Sequence, residues 1–171
     1  MGHDIESAWK RLLAGDSGIA HTSIFNARSF PTTISAEVKG FKLSDHIADF
    51  ATHSMAGRNT QFALAACGQA WSNARLDKAT LDLDRVGIYL GAGEGELDFD
   101  AYTTASLASW DADHGKIDAV KWAKIAMERM QPFREVEQEP NMPLSHLALL
   151  TGARGPAFNC LTACAASTQA I

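Results

Sequence analysis

The apolar positions of the chain fall into a few periodic blocks. Ile5, Trp9, Leu12 and Leu13 recur at helical spacing and predict an amphipathic helix over 5–13, closed by the turn residues Gly15-Asp16-Ser17-Gly18. Between Phe30 and Phe41 the period changes: Ile34, Ala36 and Val38 alternate behind Pro31, and Gly40 ends the run. That pattern predicts an edge strand, because proline cannot donate to a central ladder. Leu43 to Met55 predicts a short irregular helix carrying His46 and His53, whose expected role is structural or solvent-facing. Arg58 to Trp71 is apolar over much of its circumference, which predicts a buried helix with Cys67 as a small core residue. Val86 to Leu90 is a continuous apolar strand of the fully buried kind, and it runs into Gly91-Ala92-Gly93-Glu94-Gly95-Glu96.

Further on, Val120, Trp122, Ile125, Ala126 and Met130 predict a helix within 117–130. Asn141 is a candidate N-cap, Pro143 suits a first turn, and Gly152 supplies the position after the helix end. Gly155-Pro156 then starts an apolar strand over Phe158 to Ala163, the residues shrink to Ala-Cys-Ala-Ala-Ser, and a helix is predicted from about Cys164.

Composition narrows the function classes. A chain of 171 residues, 46% hydrophobic and 20% charged, is long enough and apolar enough to form one folded domain. The formal charge of −5 lacks the basic face of a nucleic-acid binder, and any docking patch for an acidic partner has to be local. Three cysteines, Cys67, Cys160 and Cys164, without scaffold spacing predict free thiols and a reducing, cytoplasmic setting. No metal site is expected, since Cys160-x3-Cys164 has no partner pair and the six histidines are scattered. The absence of an 18-residue apolar window or a basic leader argues against a membrane span or secretion signal. The glycine loop is not a dinucleotide fingerprint: its spacing is Gly-x-Gly-x-Gly, and its glutamates would repel pyrophosphate. Asp98, Asp100, Asp111, Asp113 and Asp118 do not form a calcium loop.

Cys164 is the strongest candidate for chemistry. A cysteine where a strand turns into a helix faces unpaired backbone N–H groups and the positive end of the helix dipole, and both favour thiolate. The small neighbours Ala163, Ala165 and Ala166 let a substrate approach the sulfur. A buried structural cysteine at a tight junction fits the local pattern equally well.

Gly155-Pro156 followed by Leu161-Thr162-Ala163-Cys164-Ala165-Ala166-Ser167 resembles the active-site segment of β-ketoacyl-acyl carrier protein synthases. Trp9-x2-Leu12-Leu13-Ala14-Gly15, Thr60-Gln61-Phe62-Ala63-Leu64-Ala65-Ala66 and Asn141-Met142 are similar to that family in the same order. The resemblance implies an α/β chain, the N-terminal half of a thiolase-like layered αβαβα fold. Members begin with a further core strand and run to more than twice this length. Residues 1–171 are therefore expected to be a partial ketosynthase domain.

The resemblance further implies a decarboxylating Claisen condensation without a cofactor. Cys164 would be the nucleophile and its own N–H an oxyanion donor. Gly93, Glu94, Gly95 and Thr162 would be substrate-binding. The partners would be acyl carrier protein or coenzyme A thioesters, and the parent a homodimer paired through the strand before Cys164. The catalytic histidines of the family come from its second half, which weighs against His146 as a partner of Cys164. The position of Glu94 is typically apolar in the family and that of Glu96 a glycine. An unpaired carboxylate against an acyl chain costs several kcal/mol, so the expected substrate is short or polar, or Glu94 points elsewhere. The 97–135 region departs most from the family and is expected to be a helical insertion near the dimer interface or pocket mouth. The alternatives are a thiolase-like or polyketide-module enzyme with another second substrate, or a non-catalytic partner subunit. Subunits of that last type usually lack the nucleophilic cysteine.

Overall fold

The computed structural model describes residues 2–93 and 95–171, and its contacts fall into two units, residues 1–45 and 46–171. In the first unit, α1 (Ile5–Leu13) has the predicted bounds. Asp4 caps it by accepting the Ser7 N–H at 2.8 Å, and Lys10 and Arg11 complement the dipole in the last turn. Its apolar stripe is present but exposed: Ile5, Trp9, Leu12 and Leu13 all face solvent. The edge strand is shorter than its pattern. β1 (Ile19–His21) pairs antiparallel with β2 (Ile34–Ala36), with Ala20 opposite Ser35. Three residues are too few for β1 to show a period of its own. The carboxylate of Glu37 staples this pair, accepting the Ser23 hydroxyl, the Ser23 N–H at 2.7 Å and the Ile24 N–H at 3.3 Å.

The second unit opens with a 3₁₀ turn, Phe50–His53, and then α2 (Arg58–Asn73). The predicted irregular helix is thus two separate 3₁₀ turns, Leu43–Asp45 and Phe50–His53. On α2, Leu64 is fully buried and Thr60 and Ala65 nearly so, but the rest of the helix is only partly covered. β3 (Ile88–Gly91) is followed by α3 (Phe99–Ala108), β4 (Trp110–Asp111) and β5 (Lys116–Ile117). Then come α4 (Ala119–Arg129), α5 (Pro132–Val136), α6 (Met142–Thr151), β6 (Ala157–Cys160) and α7 (Ala166–Ala170).

Three of the acidic residues in the 97–135 region hold the ends of elements or turns. Asp98 accepts the Ala101 N–H at the start of α3 and pairs with Arg134 at 3.1 Å. Asp111 holds the β4–β5 turn through the Asp113 and His114 N–H groups, and Asp118 caps α4 through Val120 and Lys121. The predicted helix of this region is α4; α3 and the short ribbon went unpredicted. α3 and α4 pack together, with Tyr102 edge-on to Trp122 at 6.2 Å.

The centre of the second unit is the parallel pair β3–β6, in the register Ile88 to Ala157 through Gly91 to Cys160. α6 leads into it: Gly152, at φ +73°, ends the helix as predicted, and its N–H reaches the Ala148 carbonyl at 2.8 Å. Asn141 stands at the N-cap but makes no side-chain cap bond. The Gly-Pro turn then locks the register, with Gly155 N–H on the Val86 carbonyl and Ile88 N–H on the Pro156 carbonyl, both at 2.9 Å. β3 is not buried on both faces as its apolar run suggested. Among the described residues its one paired neighbour is β6, and Tyr89 and Phe158 lie exposed and edge-on to each other at 6.3 Å.

α7 packs directly on β3 because Gly91 has no side chain; a Cβ there would come within 3.0 Å of the Ala166 carbonyl. Gly91→Ala is expected to destabilise the protein by about 1–3 kcal/mol through overpacking against backbone. Gly93→Ala, whose Cβ would meet open space, is expected to change the melting temperature little. In the first unit the hydrogen bonds from Ser23 push the Glu37 carboxyl down to about 2, from a usual value of 4.5. Its contribution to stability is therefore complete above pH 4.5 and lost as pH falls towards 2. An NMR titration should show Glu37 moving back up towards 4.5 in Ser23→Ala.

Candidate functional site

Parallel pairing puts the loops after β3 and β6 side by side, at the carboxyl ends of adjacent strands. In open α/β sheets that edge is where ligands bind. One loop is the glycine-rich stretch, the other Leu161-Thr162-Ala163-Cys164. The pairing carries on into the loops through Ala92 N–H and the Cys160 carbonyl at 3.3 Å.

The second loop turns sharply. β6 ends at Cys160, three residues earlier than its apolar pattern suggests, and Ala163 sits in the left-handed region at φ +48°. That conformation costs a non-glycine residue about 1–2 kcal/mol. It throws the chain into a 3₁₀ turn, Ala163–Ala165, with the Cys164 side chain exposed. The α-helix starts two residues after Cys164 rather than at it, because the tight turn must close first. α7 spans five residues here, so the turn is fully formed but only part of a helix dipole stands behind it. Gln169 of α7 folds back over the turn, its carbonyl oxygen accepting the Thr162 hydroxyl at 2.8 Å and the Cys160 thiol at 2.9 Å. The Thr162 side chain therefore braces the elbow.

The glycine loop is anchored from both sides. Gly95 donates to the Gln138 carbonyl at 3.1 Å, so close that a Cβ would strike the Gln138 backbone. Glu96 reaches across to α2 and accepts the Arg58 N–H, capping a helix whose own N-cap is Gly57. This cap lies 38 residues away in sequence, and no local pattern signals it. Gly93 faces open space, and Glu94 lies outside the described residues. Between this loop, α2 and α6 lies a cavity of about 230 Å³, walled by Gly57, Thr60, Ala63, Leu90, Gly91 and Pro143. That is below the roughly 300–1,000 Å³ of drug-sized ligand sites.

His146 does not serve Cys164. It is 5% exposed, its Nδ1 lies 2.8 Å from Nδ1 of His53, and its Nε2 lies 3.1 Å from both carboxylate oxygens of Glu137. Both ring nitrogens are engaged. His53 is 2% exposed, and burial, then the His146 ring, lowers its pKa. Nothing in the spacing of His53, Glu137 and His146 announces this cluster. Among the described residues no group of three or more His, Cys, Asp or Glu is arranged to hold a metal ion, and no helix is long and apolar enough to cross a membrane.

The whole chain, residues 1–171, matches the family described as Beta-ketoacyl synthase, N-terminal domain. It is 28% identical over 171 residues to a 3-oxoacyl-[acyl-carrier-protein] synthase 2 of Staphylococcus aureus. It is 29% identical over 164 residues to the enzyme of the same name from Vibrio harveyi. The match covers 100% and 96% of this chain but only 38% and 36% of those two relatives. Among solved structures, an ishigamide ketosynthase/chain length factor matches with a TM-score of 0.56 at 22% identity, covering 92% of this chain and 36% of that one. The likeness establishes the fold.

The three thiols differ in access. Cys164 is exposed, Cys160 is half-buried and bonded to Gln169, and burial pushes the Cys67 thiol up. Limited iodoacetamide treatment followed by peptide mass mapping should label Cys164 first and Cys67 last.

Proposed function

The chain belongs to the β-ketoacyl synthase family, as its N-terminal domain, and from that premise we propose that the protein carrying it is a condensing enzyme with Cys164 as its nucleophile. Residues 1–171 are the N-terminal part of the ketosynthase domain. The observation that carries the reading is the elbow at the carboxyl end of β6. There a left-handed Ala163 presents an exposed cysteine beside the glycine loop of β3.

In the first half-reaction the Cys164 thiolate attacks the carbonyl carbon of an acyl thioester. The new carbon–sulfur bond forms, and the bond to the carrier or coenzyme A sulfur breaks, releasing that thiol. Backbone N–H groups at the turn, that of Cys164 among them, stabilise the oxyanion, an electrostatic contribution usually among the largest in such reactions. The acyl chain enters the cavity between the glycine loop and α2, with Gly93 and Gly95 in its wall. A cavity of about 230 Å³ suits a short chain. In the second half-reaction a malonyl thioester loses carbon dioxide, its carbanion attacks the acyl carbon, and Cys164 leaves as thiolate. His146 is held by His53 and Glu137, so decarboxylation is assigned to groups beyond this chain. No cofactor enters these steps.

The partners are acyl carrier protein or coenzyme A thioesters. The open edge of β6, with Phe158 exposed, is the surface through which two copies pair. Three free cysteines suit the cytoplasm. A second reading, a chain-length-setting partner subunit, draws on the ketosynthase/chain length factor likeness. The cysteine at the elbow favours the ketosynthase role.

Incubating the whole protein with a short acyl thioester should add one acyl mass, absent in Cys164→Ala. Adding malonyl-acyl carrier protein should then discharge it as a β-ketoacyl product. Acylation persisting in Cys164→Ala would overturn the assignment of the nucleophile.

A further inference from the structure

The buried cluster of His53, His146 and Glu137 takes no part in the chemistry above, yet each member adjoins a different wall of the acyl cavity. His53 lies four residues before Gly57, the N-cap of α2. His146 is on α6, whose Pro143 lines the cavity. Glu137 precedes Gln138, whose carbonyl holds the glycine loop through Gly95. One chain of hydrogen bonds thus joins all three walls behind the pocket.

Its direction follows from the carboxylate. Ionised Glu137 only accepts, so Nε2 of His146 carries a proton and donates. In a neutral ring Nδ1 of His146 is then an acceptor, and His53 donates to it from Nδ1 across 2.8 Å. One added proton on the pair keeps an N–H facing a lone pair.

We propose that His53, His146 and Glu137 form a positioning relay that holds the walls of the acyl cavity in register. The proposal rests on the proposed condensation for its functional consequence. Other charged groups face the pair as well. Asp49, just before the turn of His53, and Glu137 both favour its protonated form, while burial and the His146 ring oppose it more strongly. Arg58 of α2 and Arg134 of α5 share with Glu96 and Asp98 the cleft onto which Glu137 opens. The net result is a lowered His53 pKa. The sign follows: the stability it contributes is present above pH 6.5 and is lost as pH falls below that value towards the folded-state pKa.

The test compares the whole wild-type protein with His53→Asn and His53→Ala. Asparagine places an N–H donor where Nδ1 stands but cannot take up a proton. His53→Ala removes the donor, and KM for the acyl thioester should rise about tenfold with kcat nearly unchanged, the scale of one buried acceptor left unpaired. His53→Asn should restore the wild-type KM at pH 7.5. An unchanged KM in His53→Ala, or a KM in His53→Asn as high as that of His53→Ala, would overturn the relay. Two readouts keep the two claims apart. A protein that never acylates Cys164 sinks the proposed reaction. A His53→Ala protein that acylates Cys164 with the wild-type KM sinks the relay.

Discussion

The site depends on one constraint, the parallel pairing of β3 with β6. β3 and β6, whose partnered residues Gly91 and Cys160 lie 69 residues apart in sequence, would not meet without a long crossover, and parallel neighbours require one. The pairing fixes which loops become neighbours: at that edge the glycine stretch lies beside the cysteine elbow. Glycine makes the pairing usable. Gly87 and Gly155 allow the backbones to close around the Gly-Pro turn, and Gly91 lets the start of α7 rest on the strand. A Cβ at any of these places would meet backbone atoms at 2.8 Å or less.

Around that pair, polar bonds join segments that lie far apart in sequence. Glu96 ties the glycine loop to α2, Gln138 ties it to the segment after α5, and Asn159 of β6 donates to the Pro140 carbonyl at 2.7 Å. The histidine pair and Glu137 continue the same scheme inside. Such bonds are directional, so they set the position of a loop more sharply than apolar contact does, at the cost of sensitivity to protonation.

The sequence made some of this legible and hid the rest for physical reasons. α1, α2, α4 and α6 were readable because each has apolar residues at helical spacing or clear end signals such as Gly152. The chemistry around Cys164 was readable as a strand-to-helix turn, but the exact junction was not, since Ala163 adopts a left-handed conformation that its identity does not advertise. α3 carries apolar residues without a single stripe, and β1, β4 and β5 are two or three residues long, below the length at which a period exists. Of the aspartates that formed no recognisable site, Asp98 and Asp118 cap helices and Asp111 holds a turn, roles decided by where those elements begin. The His53–His146–Glu137 cluster joins residues up to 93 apart, and only the fold brings them together.

The central claim is that an acyl group on Cys164 lies between the glycine loop and α2. Loading the whole protein with a short acyl thioester bearing a terminal photoreactive diazirine, then mapping the cross-linked peptides, tests it directly. Within this chain the account predicts adducts at residues 57–63 and 90–96. Adducts confined to residues 19–38, with none at those two segments, would contradict it.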